Sequence, residues 1–173
     1  MLLGKDEIIR MINEGKLAKN LIDPAVQIQA AGIDLTVGKI FSLKGVGCID
    51  FTNEKRRLPE YEEIICTEKW ILSLGTYNIA INETIMLPKN IAALVFPRSS
   101  SAVCGLEVRT AVWDPGYEGR GFLHVNASRQ IEVYKNARIA QMIFLKVEGN
   151  SEYSGIFKGE DVLEKGKRGL YSM

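Results

Sequence analysis

From Ile33 onward the apolar residues of this chain arrive in short runs divided by turn signals. "IDLTV", "KIFSL", "EIIC", "WILSL", "TYNIAI", "IAALVF", "GFLHVN", "QIEVY" and "RIAQMIFLKV" are rich in β-branched and aromatic residues, which suit a pleated, half-buried surface. Gly45-Val46-Gly47, Gly75, Pro88, Pro115-Gly116, Gly119 and Lys135-Asn136 separate them. Strands and helices do not alternate, which argues against a Rossmann-type unit, and no internal repeat is visible. Many short strands at regular spacing predict an all-β sandwich, jelly roll or barrel.

One segment has helical spacing. In "KDEIIRMINEG" (5–15), Ile8, Ile9, Met11 and Ile12 fall on one side and Gly15 is a stop. This predicts a short N-terminal helix packed against a sheet. The charged stretch "FTNEKRRLPEYEE" (51–63) reads as a surface excursion. From Glu148 the chain turns polar, with glycines and lysines and few apolar anchors. That predicts a β domain over residues 1–147 and a mobile C-terminal tail over 148–173.

Composition excludes several functional classes. A chain of 173 residues suits one domain with a sizeable core. With 46% hydrophobic and 25% charged residues, the balance is that of an ordinary soluble domain. No apolar run reaches the roughly 18 residues of a membrane span, and "MLLGKDEIIR" lacks a secretory apolar core, so a cytoplasmic protein is expected. Cys48, Cys66 and Cys104 are scattered and form no CxxC pair, which fits reduced thiols rather than zinc. A formal net charge of +1 gives no global basic field for nucleic acid, but leaves room for a local anion site.

Four stretches carry candidate chemistry. In "FPRSSSAVCG" (96–105), Pro97 ends a strand and Arg98 precedes three serines. Hydroxyls and free backbone N–H groups at such a junction can nest an anion, and the guanidinium can add charge-assisted bonds. A capped turn or helix start accounts for the same residues, because serine is a common N-cap. In "AVWDPGYEGRG" (111–121), Asp114 stands before a Pro-Gly turn. It either closes a hairpin or, at a strand end among apolar neighbours, holds a water as general base. Tyr117 would offer a flat ring beside it. "QAAGIDLTVG" (29–38) sets Asp34 between Ile33 and Leu35, where an inward carboxylate needs a partner and an outward one does not. "ARIAQMIF" (137–144) places Gln141 in an apolar strand, so its amide needs a backbone or ligand partner.

In their order and separation these stretches resemble the trimeric dUTPase and dCTP deaminase superfamily. "AGIDL", "PRSSSAVCG", "AVWDPGYEG" and "RIAQM" are similar to the family's first four motifs, and the likeness runs from the N-terminal helix to about Val147. The resemblance implies a distorted jelly-roll or β-clip sandwich, assembled as a homotrimer with sites at subunit seams. It implies no nucleic-acid or membrane partner. The N-terminal region is more like the deaminase branch. Yet His124, the only histidine, stands where that branch carries a proton-shuttling glutamate, and Val103 stands where it carries an arginine.

The positions that resemble the dUTPase branch are intact. By resemblance, Asp114 activates the attacking water and Tyr117 packs on deoxyribose. Arg98, Ser99, Ser100 and Gln141 hold phosphates. Main-chain groups around Ala111 and Val112 read uracil, and Asp34 lies near the water shell of Mg²⁺. Arg168 and Tyr171 in "EKGKRGLYSM" are similar to a reduced closing motif; a basic tail without that role is the other reading. The implied activity is hydrolysis of dUTP to dUMP and pyrophosphate with Mg²⁺. The alternatives are a bifunctional enzyme that also deaminates dCTP through His124, and a non-catalytic nucleotide-binding relative.

Overall fold

The computed structural model describes residues 1–109, 111–149 and 152–163. The elements in chain order are α1 (Lys5–Asn13), β1 (Leu17–Lys19), α2 (Pro24–Gln27), β2 (Ile28–Gln29), β3 (Gly32–Lys44), β4 (Glu60–Glu63), β5 (Lys69–Leu72) and β6 (Gly75–Ile81). There follow β7 (Thr84–Met86), β8 (Ile91–Pro97), α3 (Ser99–Val103), β9 (Leu106–Arg109), β10 (Glu118–Arg120), β11 (Phe122–Ala127), β12 (Ile131–Tyr134), β13 (Arg138–Lys146) and β14 (Glu160–Asp161). The large sheet has the order β8-β13-β3-β6-β11-β9, with β2 and β4 also paired to β3. A smaller sheet runs β1-β7-β10-β14, and β5 pairs with β12. The chain is mainly β and forms a distorted jelly roll. No helix among the described residues is long and apolar enough to cross a membrane.

The long strand β3 organises the fold. Its first half pairs with β13 and its second half with β6 and β4. Ile33, Leu35 and Val37 are fully buried in the main core, as is Ile40. Their parity changes because the ladder to β6 slips between Val37 and Lys39, and a bulge exchanges the two faces of a strand. Gly38 sits at that slip, where a Cβ would come within 2.7 Å of Leu163 and 3.0 Å of the Ala80 carbonyl. After the slip Phe41 turns away from the main core into a second cluster with Ala80, Phe122 and Val162. Alternate residues of β3, β6 and β11 therefore serve two apolar layers. Burying each large aliphatic side chain contributes about 1.5–3 kcal/mol.

The predicted N-terminal helix forms, with Ile8 and Met11 buried. Two single-turn helices also form, α2, which was not expected, and α3, at the helix start that the serine run allowed. In α2, Asp23 caps the turn by accepting from the Ala25 N–H at 2.9 Å. In α3, the N-cap is Arg98, without a side-chain cap, so the serines lie inside the turn. The charged excursion ends in β4, an edge strand reading "EYEE"; its pairing with β3, not its own residue preferences, makes it a strand. The described part of the expected tail includes residues 152–163. Residues 152–163 fold back on the domain, β14 pairs with β10, and Val162 is buried. The physical reason is a sparse set of anchors, Tyr153, Phe157, Val162 and Leu163, that all find apolar partners. Cys48, Cys66 and Cys104 are free thiols.

Candidate active site

The segment carrying Asp114 is clamped on both sides. Trp113 exchanges two backbone hydrogen bonds with Ala93, at 3.0 and 2.9 Å. The Tyr117 carbonyl accepts from Leu87 N–H at 2.8 Å. Between them Tyr117 N–H donates to the Asp114 carbonyl at 3.2 Å, with Gly116 at φ 77°. Proline followed by a left-handed glycine is the chemistry of a type II turn, and it leaves Asp114 exposed at the rim. The Asp114 carboxylate has no hydrogen-bond or ion partner among the described residues.

Asp114 lines a cavity of about 410 Å³. Its floor is the outer face of the large sheet, from Leu43, Asn78, Phe122 and His124. Ala111, Val112, Trp113 and Tyr117 form one wall, and Tyr153, Phe157 and Glu160 of the folded-back segment form another. Tyr61 stacks on Phe122, with ring centroids 5.1 Å apart and planes 15° apart. A mostly aromatic slot with a few polar groups suits a planar ring. The buried Asn78 faces His124 across the β6–β11 ladder, its Oδ1 against the imidazole Nδ1. Tyr117 lines the cavity and is almost wholly buried.

The expected phosphate residues lie elsewhere. Gln141 pairs with Asp34 on one side and Phe96 on the other, so these side chains share a face of the sheet. Arg98 follows two residues after Phe96. Ser99 and Ser100 are exposed on α3, whereas Ser101 is buried. None of Arg98, Ser99, Ser100 and Gln141 lines the aromatic cavity. One chain thus holds two groups of candidate residues: a base slot with Asp114, and a guanidinium, hydroxyl and amide cluster. Arg168 and Tyr171 lie outside the described residues.

Asp34, expected near a metal's water shell, is buried and committed to cations. Its Oδ2 forms an ion pair with Arg98, 3.1 Å from Nε, and accepts a hydrogen bond from Arg138 Nη1 at 3.0 Å. Burial pushes its carboxyl pKa up, and the two guanidinium groups offset part of that rise. No group of three or more His, Cys, Asp or Glu residues converges among the described residues. These side chains do not fit a resident Mg²⁺, whose site would need several oxygen ligands.

Sequence reasoning missed Asn78, Tyr61, Tyr153, Phe157 and Glu160. Asn78 carried a signal, a polar residue within the apolar alternation of "TYNIAI". Tyr153 and Phe157 lie in "EYSGIF" (152–157), a stretch only loosely similar to a tail motif of the deaminase branch, and their role depends on long-range docking.

Comparison with known proteins adds independent support. A family model described as dCTP deaminase-like matches residues 2–147. A Methanocaldococcus jannaschii protein named deoxyuridine 5'-triphosphate nucleotidohydrolase is 43% identical over 155 residues, covering 86% of this chain and 99% of that one. An Archaeoglobus fulgidus protein named as a probable enzyme of the same kind is 37% identical over 163 residues, covering 92% and 97%. Among solved structures, a 2'-deoxycytidine 5'-triphosphate deaminase from Agrobacterium tumefaciens matches with a TM-score of 0.66 at 22% identity. That match covers 83% of this chain and 47% of the other, and it speaks to the fold.

Proposed function

The chain belongs to the dCTP deaminase-like family, and from that premise we propose that it is a dUTP diphosphatase, forming dUMP and pyrophosphate. The observation that carries this reading is the exposed Asp114 carboxylate, without a partner among the described residues, at the rim of an aromatic slot. The names of relatives at 37–43% identity agree with it.

The substrate is the Mg²⁺ complex of dUTP, with the metal carried by the triphosphate rather than by a protein cage. Uracil enters the slot, where main-chain groups near Ala111 and Val112 read its edge. Tyr117 flanks the deoxyribose. Asp114 takes a proton from a water whose oxygen attacks the α-phosphorus. The bond from that phosphorus to the α–β bridging oxygen breaks, and pyrophosphate leaves. Arg98, the hydroxyls of Ser99 and Ser100 and the amide of Gln141 stabilise charge on phosphoryl oxygens. Arg168 and Tyr171 are proposed to help close the site.

The separation of the base slot from the phosphate cluster supports a homotrimer in which neighbouring chains complete each site. Phe96, Val103 and Val112, which are 51%, 81% and 57% exposed, provide apolar contact surface near both groups. A cytoplasmic location follows from the proposed substrate.

A second activity, deamination of dCTP, is favoured by one observation: His124, steered by Asn78, lines the same slot. Purified protein given Mg²⁺ with dUTP or dCTP, followed for pyrophosphate and ammonia together, tests both. Pyrophosphate from dUTP, lost in Asp114→Asn, is the expected result. Turnover unchanged in that variant would overturn the role of Asp114. Absence of ammonia from dCTP across pH 5–9 would remove the second activity.

A further inference from the structure

The Glu83 side chain is wholly buried, and none of its recorded side-chain partners is a cation. Its Oε1 accepts from Gln27 Nε2 at 2.7 Å and from the Thr36 hydroxyl at 2.6 Å. Its Oε2 accepts from the Thr36 backbone N–H at 3.1 Å. The same Gln27 nitrogen donates to the Asp34 carbonyl at 2.9 Å. Gln27 is itself fixed, because its Oε1 accepts from the Asp23 N–H at 3.0 Å. Glu83 therefore grips β3 on both sides of Leu35, directly at Thr36 and through Gln27 at Asp34.

Asp34 passes that constraint outward. Its carboxylate forms an ion pair with Arg98, 3.1 Å from Nε, and Arg98 Nη1 donates to the Arg138 carbonyl at 3.1 Å. Arg138 Nη1 meets Asp34 at 3.0 Å and the Val26 carbonyl at 3.0 Å. Of the three Arg98 nitrogens, Nη1 is thereby hydrogen-bonded and Nε ion-paired. Its Nη2 has no partner among the described residues, and the side chain is 30% exposed.

We propose that Glu83 is a positioning residue for Arg98: by pinning β3 at Thr36 and Asp34 it sets the direction in which the guanidinium presents its remaining edge to phosphate. This rests on the assignment of Arg98 to the phosphates made above. A carboxylate suits the place because Gln27 and both Thr36 groups are donors, and Glu83 has acceptor capacity for all of them. A glutamine at 83 would turn its NH₂ against one of those donors. An apolar residue would leave all of them buried without acceptors. The arrangement fixes geometry in a way that a merely space-filling side chain would not.

The test uses Glu83→Gln and Gln27→Met in the full-length protein. The second variant cuts the link to Asp34 while keeping the Glu83–Thr36 bonds. One readout is proton exchange at the Arg98 Nε–H, followed by ¹⁵N NMR and assigned with Arg98→Lys. The other is the Michaelis behaviour with Mg²⁺–dUTP, set against binding of deoxyuridine, which has no phosphate. The expected result is faster Nε–H exchange in both variants. KM should rise about tenfold, the size of one charge-assisted hydrogen bond, with kcat changed less and deoxyuridine affinity unchanged. Unaltered Nε–H exchange in folded variants, or equal losses for dUTP and deoxyuridine, would overturn the proposal. Should Glu83→Gln fail to fold, Gln27→Met decides alone. Should the wild-type protein not hydrolyse dUTP, the functional reading falls, and Nε–H exchange still decides whether Glu83 positions Arg98.

Discussion

The ring of Trp113 meets that of Tyr117 edge to face, with centroids 4.9 Å apart and planes at 84°. This contact holds the two ends of the Asp114 turn together beneath the rim. It depends on Gly121, where an added Cβ would lie 2.8 Å from the Trp113 ring and 3.1 Å from the Tyr117 hydroxyl. Gly121→Ala should therefore displace the pair and cost about 1–3 kcal/mol, the usual range for overpacking. A thermal melt and kcat/KM for dUTP should fall together. A variant as stable and active as wild type would show that the pair has slack.

Asp34 and Asp114 should respond oppositely to the same chemical change. Asp34→Asn leaves Arg98 and Arg138 facing a neutral amide in a buried place, and breaking such a pair costs roughly 3–5 kcal/mol when fully buried. The two arginine side chains are 30% and 32% exposed, so water relieves part of that, and about 2–3 kcal/mol is expected. Asp114 is exposed and has no partner among the described residues, so Asp114→Asn should shift stability by no more than about 0.5 kcal/mol. Denaturant melts of both variants, read beside pyrophosphate release, separate a structural carboxylate from a catalytic one.

The fold class was legible because strand alternation is local. Residues such as Ile79 and Ile81 are buried and apolar, and their own run announces a strand. Asp114, Ala111, Val112 and Tyr117 were legible as neighbours because one turn brings them together. What a single run cannot encode is partnership at a distance. Asp34 had two open readings, buried or exposed, and the arginine pair that faces it comes from the N-cap of α3 and from β13. Glu60–Glu63 became a strand only because β3 lay beside it. The bulge at Gly38, which decides the faces of β3, has no signature beyond one glycine.

The folded-back segment should be separable from the rest by one buried charge. Val162 lies against Phe41, Ala80 and Phe122, and Phe122 also lines the slot. Val162→Asp would place a carboxylate there without a cation, and releasing the segment costs less than burying the charge. Tyr153 and Phe157 would then leave the slot wall. Fluorescence of Trp113, over the constant contribution of Trp70, should shift to the red, and KM for dUTP should rise by about tenfold or more. Unshifted emission with unchanged KM would mean that the segment does not shape the slot.

Acid should undock the same segment by a different route. Glu152 bridges Lys158 at 2.6 Å and Lys89 at 2.7 Å. The hydrogen bond from Lys158, then that from Lys89, lowers its pKa from the ordinary 4.5 to about 2. A carboxylate lowered on folding contributes stability that is present above its unfolded pKa and is lost as pH falls through the folded one. Docking should therefore weaken between pH 4.5 and about 2. In Lys158→Gln one cation is gone, the folded pKa moves back toward its ordinary value, and less docking energy remains to lose. Salt on the order of 0.5 M should act in the same direction, because these pairs are exposed and screened. The check is the acid titration of Trp113 emission at low and high salt: the change across this window should be largest for wild type at low salt and smaller in Lys158→Gln. Identical titrations in the two proteins would remove Glu152 from the latch and leave the burial of Val162 to hold the segment.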